Sequence, residues 1–206
     1  MRRFLRVLSI VLVLAMTMSL CSCVIKTEAQ KSEEASQSEA DLFGKTYEVL
    51  YGCIGISFTD AVGRLESHFG IKFDLVNYSD CFYYDDENGY CEYHFTKNVQ
   101  IAGIDFNEIR IFCTLDEVVF HVGFVSDADP AGKLDEDYGH IVASCTSLLG
   151  QPKTVRNALK DEDVAFTEYG LGDRLVISAG RFMSSEYNSL WFDINDWKLT
   201  EELGIA

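Results

Sequence analysis

Four histidines, His68, His94, His121 and His140, are the side chains best suited to proton transfer or metal binding near neutral pH. None stands in an HExxH helix or beside a Gly-x-Ser-x-Gly turn, so the spacing spells neither zinc-protease nor serine-hydrolase chemistry. His68 and His140 border stretches of helical periodicity and read as half-exposed surface residues. His94 and His121 lie in stretches of alternating apolar residues, on the side opposite the core. Phe120 and Val122 flank His121 and claim the inner face, which turns its ring outward. A catalytic or metal pair of these two is one reading; ordinary surface histidines are the other. Two acidic loops suggest calcium. Asp127-Ala128-Asp129-Pro130-Ala131-Gly132 opens like an EF-hand loop, yet Ala131 and Tyr138 occupy the fifth and twelfth positions, where oxygen ligands are required. Asp85-Asp86-Glu87-Asn88-Gly89 reads as a hairpin tip, Asn-Gly being the preferred type I′ pair. Cys53, Cys81, Cys91, Cys113 and Cys145 form neither a CxxC nor a zinc quartet. No catalytic residue, metal or cofactor is assigned.

Aromatic side chains carry the stronger functional signal. Alternation places Phe112, His121, Tyr169 and Trp191 on an outward sheet face with Arg110 beside them, and Tyr83, Tyr84 and Tyr90 flank the acidic hairpin tip. Tyr and Trp are rich in binding energy at interfaces, and an uncovered face bearing them marks a partner surface. The same rings would be structural core if a loop or a second copy covered them. The expected function is non-enzymatic binding of a protein or a glycan. The alternative is a glycan-binding or glycan-hydrolysing envelope protein whose carboxylates come together only in the fold.

The elements that hold these residues show two periodicities. A helix is predicted over Thr59–Phe69, with Phe58, Ala61, Val62, Leu65 and Phe69 as its stripe, Ser57 and Asp60 as a capping pair and Gly70 as its stop. A second is predicted over Glu136–Leu149, on Tyr138, Ile141, Val142, Cys145, Leu148 and Leu149. Period-2 stretches predict strands at about 71–78, 90–96, 106–114 and 117–126, then at 153–158, 164–169, 174–180 and 188–195. With Leu115-Asp116 as a two-residue turn, Ile109 would face Val122, Ile111 would face Phe120 and Cys113 would face Val118. The plan is α+β in two layers, an antiparallel sheet with helices on one face. It is built from two approximate helix-plus-strands repeats, about 50–127 and 134–196, in one continuous sheet or two. Over residues 50–196 this element order resembles the architecture of the beta-lactamase inhibitor proteins.

The chain begins with Arg2, Arg3 and Arg6, followed by an apolar run from Val7 to Leu20 and then Leu20-Cys21-Ser22-Cys23. That is the layout of a secretory signal. Its end resembles the bacterial lipobox and the short lipoproteins common in low-GC Gram-positive bacteria. The resemblance implies cleavage after Ser22, diacylglycerol and palmitate on Cys23, and a chain held on the outer side of the cell membrane by covalent lipid. Residues 1–22 then form the signal peptide, 23–41 a lipid-anchored flexible tether, with a short frayed helix as the alternative reading of its Ala, Glu, Gln and Lys, and 42–206 one domain. The mature chain keeps 14 basic residues against 33 acidic ones, a formal charge of −19. Such a surface repels nucleic acid and anionic headgroups, which excludes nucleic acid as a partner and leaves membrane attachment to the lipid. Five cysteines remain, and export permits disulfides. Cys145, on a helical stripe, is expected to be reduced and buried. Cys91 could pair with Cys113 or with Cys81, but not with both.

Overall fold

The computed structural model describes residues 28–75, 82–85, 89–127, 131–156, 163–184 and 187–203. The lipobox, Cys23 and Cys81 lie outside them. Among the described residues the chain forms α1 (Glu28–Cys53), α2 (Phe58–Phe69), β1 (Phe82–Asp85), β2 (Tyr90–Ile101), β3 (Ile104–Thr114), β4 (Val119–Asp127), α3 (Ala131–Leu149), β5 (Thr154–Arg156), β6 (Asp163–Leu171), β7 (Leu175–Met183), β8 (Asn188–Asp196) and α4 (Trp197–Glu202). The fold is α+β, as the periodicities predict. All ladders are antiparallel and belong to one eight-stranded sheet, ordered β1-β2-β3-β4-β8-β7-β6-β5. Each set of four strands is a meander, and the two join where β4 pairs with β8. The edge strands are the two shortest, which limits edge-to-edge association.

The helices cover one face of this sheet. Phe43, Leu50 and Cys53 of α1, Ala61, Val62 and Leu65 of α2, and Leu134, Ile141 and Cys145 of α3 share one core with Ile109, Ile111, Val122, Phe124, Ile177, Phe192 and Ile194. The start of α2 follows its capping pair: Ser57 Oγ accepts from the Asp60 N–H (3.2 Å) and donates to Asp60 Oδ2 (2.8 Å). Asp is too short to reach back to the Ser57 backbone as Glu would, so it takes the hydroxyl instead. Gly70 stops the helix in the left-handed region at φ 66°, its N–H on Glu66 O.

Several expectations are corrected. The segment read as a flexible tether is helical from Glu28 onward, because its Ala, Glu, Gln and Lys are strong helix formers. The chain divides into two compact units, the second running from Glu39 to Ala206. Residues 71–75 are not a strand: the Phe73 N–H is held by Glu66 Oε1 (2.8 Å) rather than by a neighbouring strand. α3 begins five residues before the predicted start, so Ala131 and Gly132 are helical, while residues 128–130 of the EF-hand-like loop lie outside the described residues.

The β3–β4 turn is longer than two residues. The Thr114 N–H meets Val118 O (2.9 Å), and Glu117 takes a positive φ of 59°. Ile109 therefore faces Phe124, Ile111 faces Val122, and a bulge after Phe112 sets Cys113 opposite Val119. Val118 is exposed, and Phe120 is carried to the far side of the sheet, where its ring lies 6.1 Å from that of Phe112.

Candidate binding face

The ladder registers decide which residues share the face turned away from the helices. Arg110, Gly123, Asp193, Ser178 and Glu168 form one row across five strands; Phe112, His121, Asn195 and Val176 form the next; Glu108, Val125, Trp191, Gly180 and Phe166 form a third. Four of the five residues predicted for this face are on it: Arg110, Phe112, His121 and Trp191.

Tyr169 is not. It pairs with Ile177, which pairs with Ile194, and both belong to the helix-covered core. Its ring is buried, and its hydroxyl donates to Val142 O (2.9 Å) and meets Thr146 Oγ1 (2.7 Å) on α3. On β6 the larger Val164 and Phe166 take the outward side. Ala165 and Thr167 turn to the helices because α3 approaches closely there; the Tyr138 hydroxyl reaches Thr167 Oγ1 at 2.8 Å. Of the predicted hairpin, Tyr83 and Tyr84 fall on β1 opposite Glu92 and Cys91, and Asp85 pairs with Tyr90.

The outward face has three parts. At one end Tyr90, Phe112 and Phe120 cluster, and Phe112 stacks on His121 with centroids 4.5 Å apart. Phe112 is only 8% exposed, so this end is packed structure rather than an open aromatic platform. In the middle of β2 and β3 lies a charged cluster. His94 Nε2 is 2.6 Å from Glu92 Oε1, His94 Nδ1 is 2.7 Å from Glu108 Oε1, and Arg110 Nε donates to that same oxygen at 2.7 Å. Burial raises the pKa of Glu108, but the hydrogen bonds and charges of Arg110 and His94 outweigh it and hold the carboxyl below its usual range.

The third part is the surface around two glycines. A Cβ on Gly180 would meet three ring carbons of Trp191 at 2.0–2.5 Å, so the indole lies on the glycine backbone. No other residue leaves room for it. Trp191 therefore buries one side against the sheet and keeps the rest partly exposed. Across the seam the His121 ring leans over Gly123, its Nε2 3.0 Å from where a Cβ would sit.

Between these glycines stands Asp193, 9% exposed. It accepts from Asn195 Nδ2 (3.0 Å) and from Ser178, but burial, with Glu168 nearby, pushes its pKa up to about 7. Burial, assisted by Arg110, pushes His121 down to about 4. The alternation that placed Trp191 outward also placed Asp193 there. What it did not signal is that the carboxylate would be buried there.

His94 and His121 do not form a pair: one is held by two carboxylates, the other stacks on Phe112. No group of three metal-ligating side chains converges among the described residues. His68 Nε2 meets Thr46 Oγ1 at 2.9 Å in the contact between α1 and α2, and His140 Nε2 lies 3.5 Å from Glu39. No family model, curated protein or solved structure matches the chain.

Proposed function

We propose that the chain is an extracytoplasmic, lipid-anchored binding protein whose outward sheet face, centred on Trp191, holds a protein or glycan partner. The observation that carries this reading is the indole laid on Gly180. A large ring is held in one orientation on a rigid sheet, with little rotamer entropy left to lose, on the face the helices leave uncovered. Arg110, Glu108, Glu92 and His94 supply a charged border to the same face. Binding fits this arrangement better than hydrolysis, because Glu92 and Glu108 both hold one imidazole rather than facing each other across open space.

Changing Trp191 to Ala tests the reading. The ring is partly exposed rather than sealed in the core, so the expected loss of stability is small, about 1–2 kcal/mol, against roughly 3–5 kcal/mol for a fully buried Trp. Cross-linking to envelope proteins or retention on cell-wall glycan should fall tenfold or more. Thermal melting together with retention decides it: a collapse in melting temperature, or unchanged retention, contradicts the proposal.

The anchor has its own test. Among the described residues no helix is long and apolar enough to cross a membrane. Palmitate labelling should be lost in Cys23→Ala, and the mature N-terminal peptide should begin with lipid-modified Cys23. An unmodified peptide, or one beginning at Cys21, contradicts the assignment.

A further inference from the structure

We infer that Cys91 and Cys113 form a disulfide that clips β2 to β3 beneath the helices. The two residues are direct partners in the ladder, between the pairs Tyr90–Thr114 and Glu92–Phe112. Direct antiparallel partners share a face and hold their Cα atoms about 4.5 or 5.5 Å apart, according to the pair type. Both distances fall in the range of roughly 4.4–6.8 Å that a disulfide spans. Both side chains are buried in the helix-side core.

The other described cysteines do not compete. The Cys53 thiol is turned to Ala61 O at 3.8 Å, and Cys145 lies on α3. The ladder sets Cys91 directly opposite Cys113, both as free thiols in this structure, while Cys81 lies outside the described residues.

The bond forms by two exchanges with a disulfide donor, either a small-molecule disulfide or the active-site disulfide of a thiol oxidase. The thiolate of one cysteine attacks a donor sulfur, making a mixed disulfide and releasing one donor thiol. The second cysteine, losing its proton, attacks the protein sulfur of that bond and releases the other. Two electrons and two protons pass to the donor, and one Sγ–Sγ bond remains.

Burial raises the pKa of both thiols; Cys113 is also raised by Cys91, and both are raised by Glu117. Thiolate is therefore scarce once the sheet is covered. Phe58 at the start of α2 stacks on Tyr93, two residues along β2, with centroids 4.0 Å apart. The exchange belongs to folding, before the helices cover the paired β2–β3 hairpin, and the finished bond is sheltered from reductant. It acts as a clip and not as a switch.

The inference rests on the extracytoplasmic reading, since oxidants act on exported chains, and the test keeps the two apart. Full-length protein is taken from the envelope with thiols blocked, digested without reduction and mapped by mass. A peptide pair joined through Cys91 and Cys113, with Cys53 and Cys145 blocked only after denaturation, supports the clip. Separately blocked Cys91 and Cys113 peptides, or a Cys81–Cys91 link, overturn it.

The full chain is also refolded in a glutathione redox buffer. The same link there supports the pairing even if fractionation places the chain inside the cell, which would sink the location alone; free thiols after refolding overturn the pairing. Oxidised protein should melt roughly 5–10 °C above reduced protein, whereas reductant should leave the midpoint of Cys113→Ala unmoved. A wild-type midpoint that stays the same after reduction in denaturant and refolding with the thiols blocked overturns the proposal.

Discussion

Replacing Asp193 by Asn is expected to stabilise the folded chain by about 2–4 kcal/mol above pH 7 and to change it little below pH 4. The folded pKa of Asp193 is raised from 3.8 to about 7 by burial. Its contribution is therefore fully present below the unfolded pKa and is lost as pH rises through about 7. Above that, the wild-type chain holds an ionised carboxylate in a nearly closed site. Asparagine keeps the shape and can still accept from Asn195 and Ser178, without the charge.

His121 works in the opposite direction. Its folded pKa is lowered from 6.5 to about 4, so the neutral ring is favoured, and stability is lost as pH falls through that window. Its ring keeps some exposure, which reduces the magnitude. Between about pH 4 and 6.5, folding takes up a proton at Asp193 and releases one from His121. The two slopes oppose each other, and wild-type stability should be nearly flat there.

Asp193→Asn should uncover the histidine, giving stability that rises with pH from 4 to 6.5. His121→Gln should uncover the aspartate, giving stability that falls with pH from 4 to 7. Glu108, held low by Arg110 and His94, adds an acid-side loss that both variants share. Urea unfolding at half-unit steps of pH measures all three. An Asp193→Asn curve parallel to the wild-type curve would show that Asp193 does not carry the shift.

The second large effect is expected one residue from the mildest. Phe192→Ala should cost about 3–5 kcal/mol, which lowers the melting temperature of a chain this size by roughly 6–20 °C. Phe192 is fully buried on β8, with its ring 6.0 Å from Phe43 of α1 and 6.4 Å from Phe124 of β4. Phe124 in turn meets Phe69 of α2 and Phe106 of β3, so the gap opens where helices and both meanders come together. Trp191→Ala removes a larger side chain from the other face at far lower cost. Equal melting temperatures for the two variants would mean that the assigned faces of β8 are wrong.

Legibility in the sequence followed local signals. α2 and most of α3 were readable because stripe, caps and stops coincided, and seven of the strands because their alternation is strong. α1 was missed although Phe43, Thr46, Leu50 and Cys53 stand at helical spacing and are all buried. Gly44 and Gly52 weaken its propensity, and the polar run before it suggested disorder. β1 is four residues long, too short for alternation to separate it from the loop around it. The β3–β4 register failed on turn length, which Leu115-Asp116 does not declare.

On the candidate face, parity worked where a strand had clear core residues, as in Leu190, Phe192 and Ile194. It failed at Tyr169, where the core side is taken by Ala165 and Thr167. Side-chain size misled because the distance to α3, rather than hydrophobicity, sets what fits. The pKa values of Asp193 and His121 were not legible at all, since they arise from burial that depends on the neighbouring strands.

The strand order also sets the tempo of folding. Every ladder but one joins strands that follow each other in the chain, and such hairpins close over short loops at little entropic cost. The β4–β8 ladder joins partners 62–74 residues apart, from Asp127–Ser189 to His121–Asn195. Loop closure of that length comes after the local pairings and limits the rate. A chain emerging from its N-terminal end can form one meander early, but its β4 edge must wait, unpaired and apolar, until β8 arrives. During that interval the chain is most exposed to mispairing with a second copy.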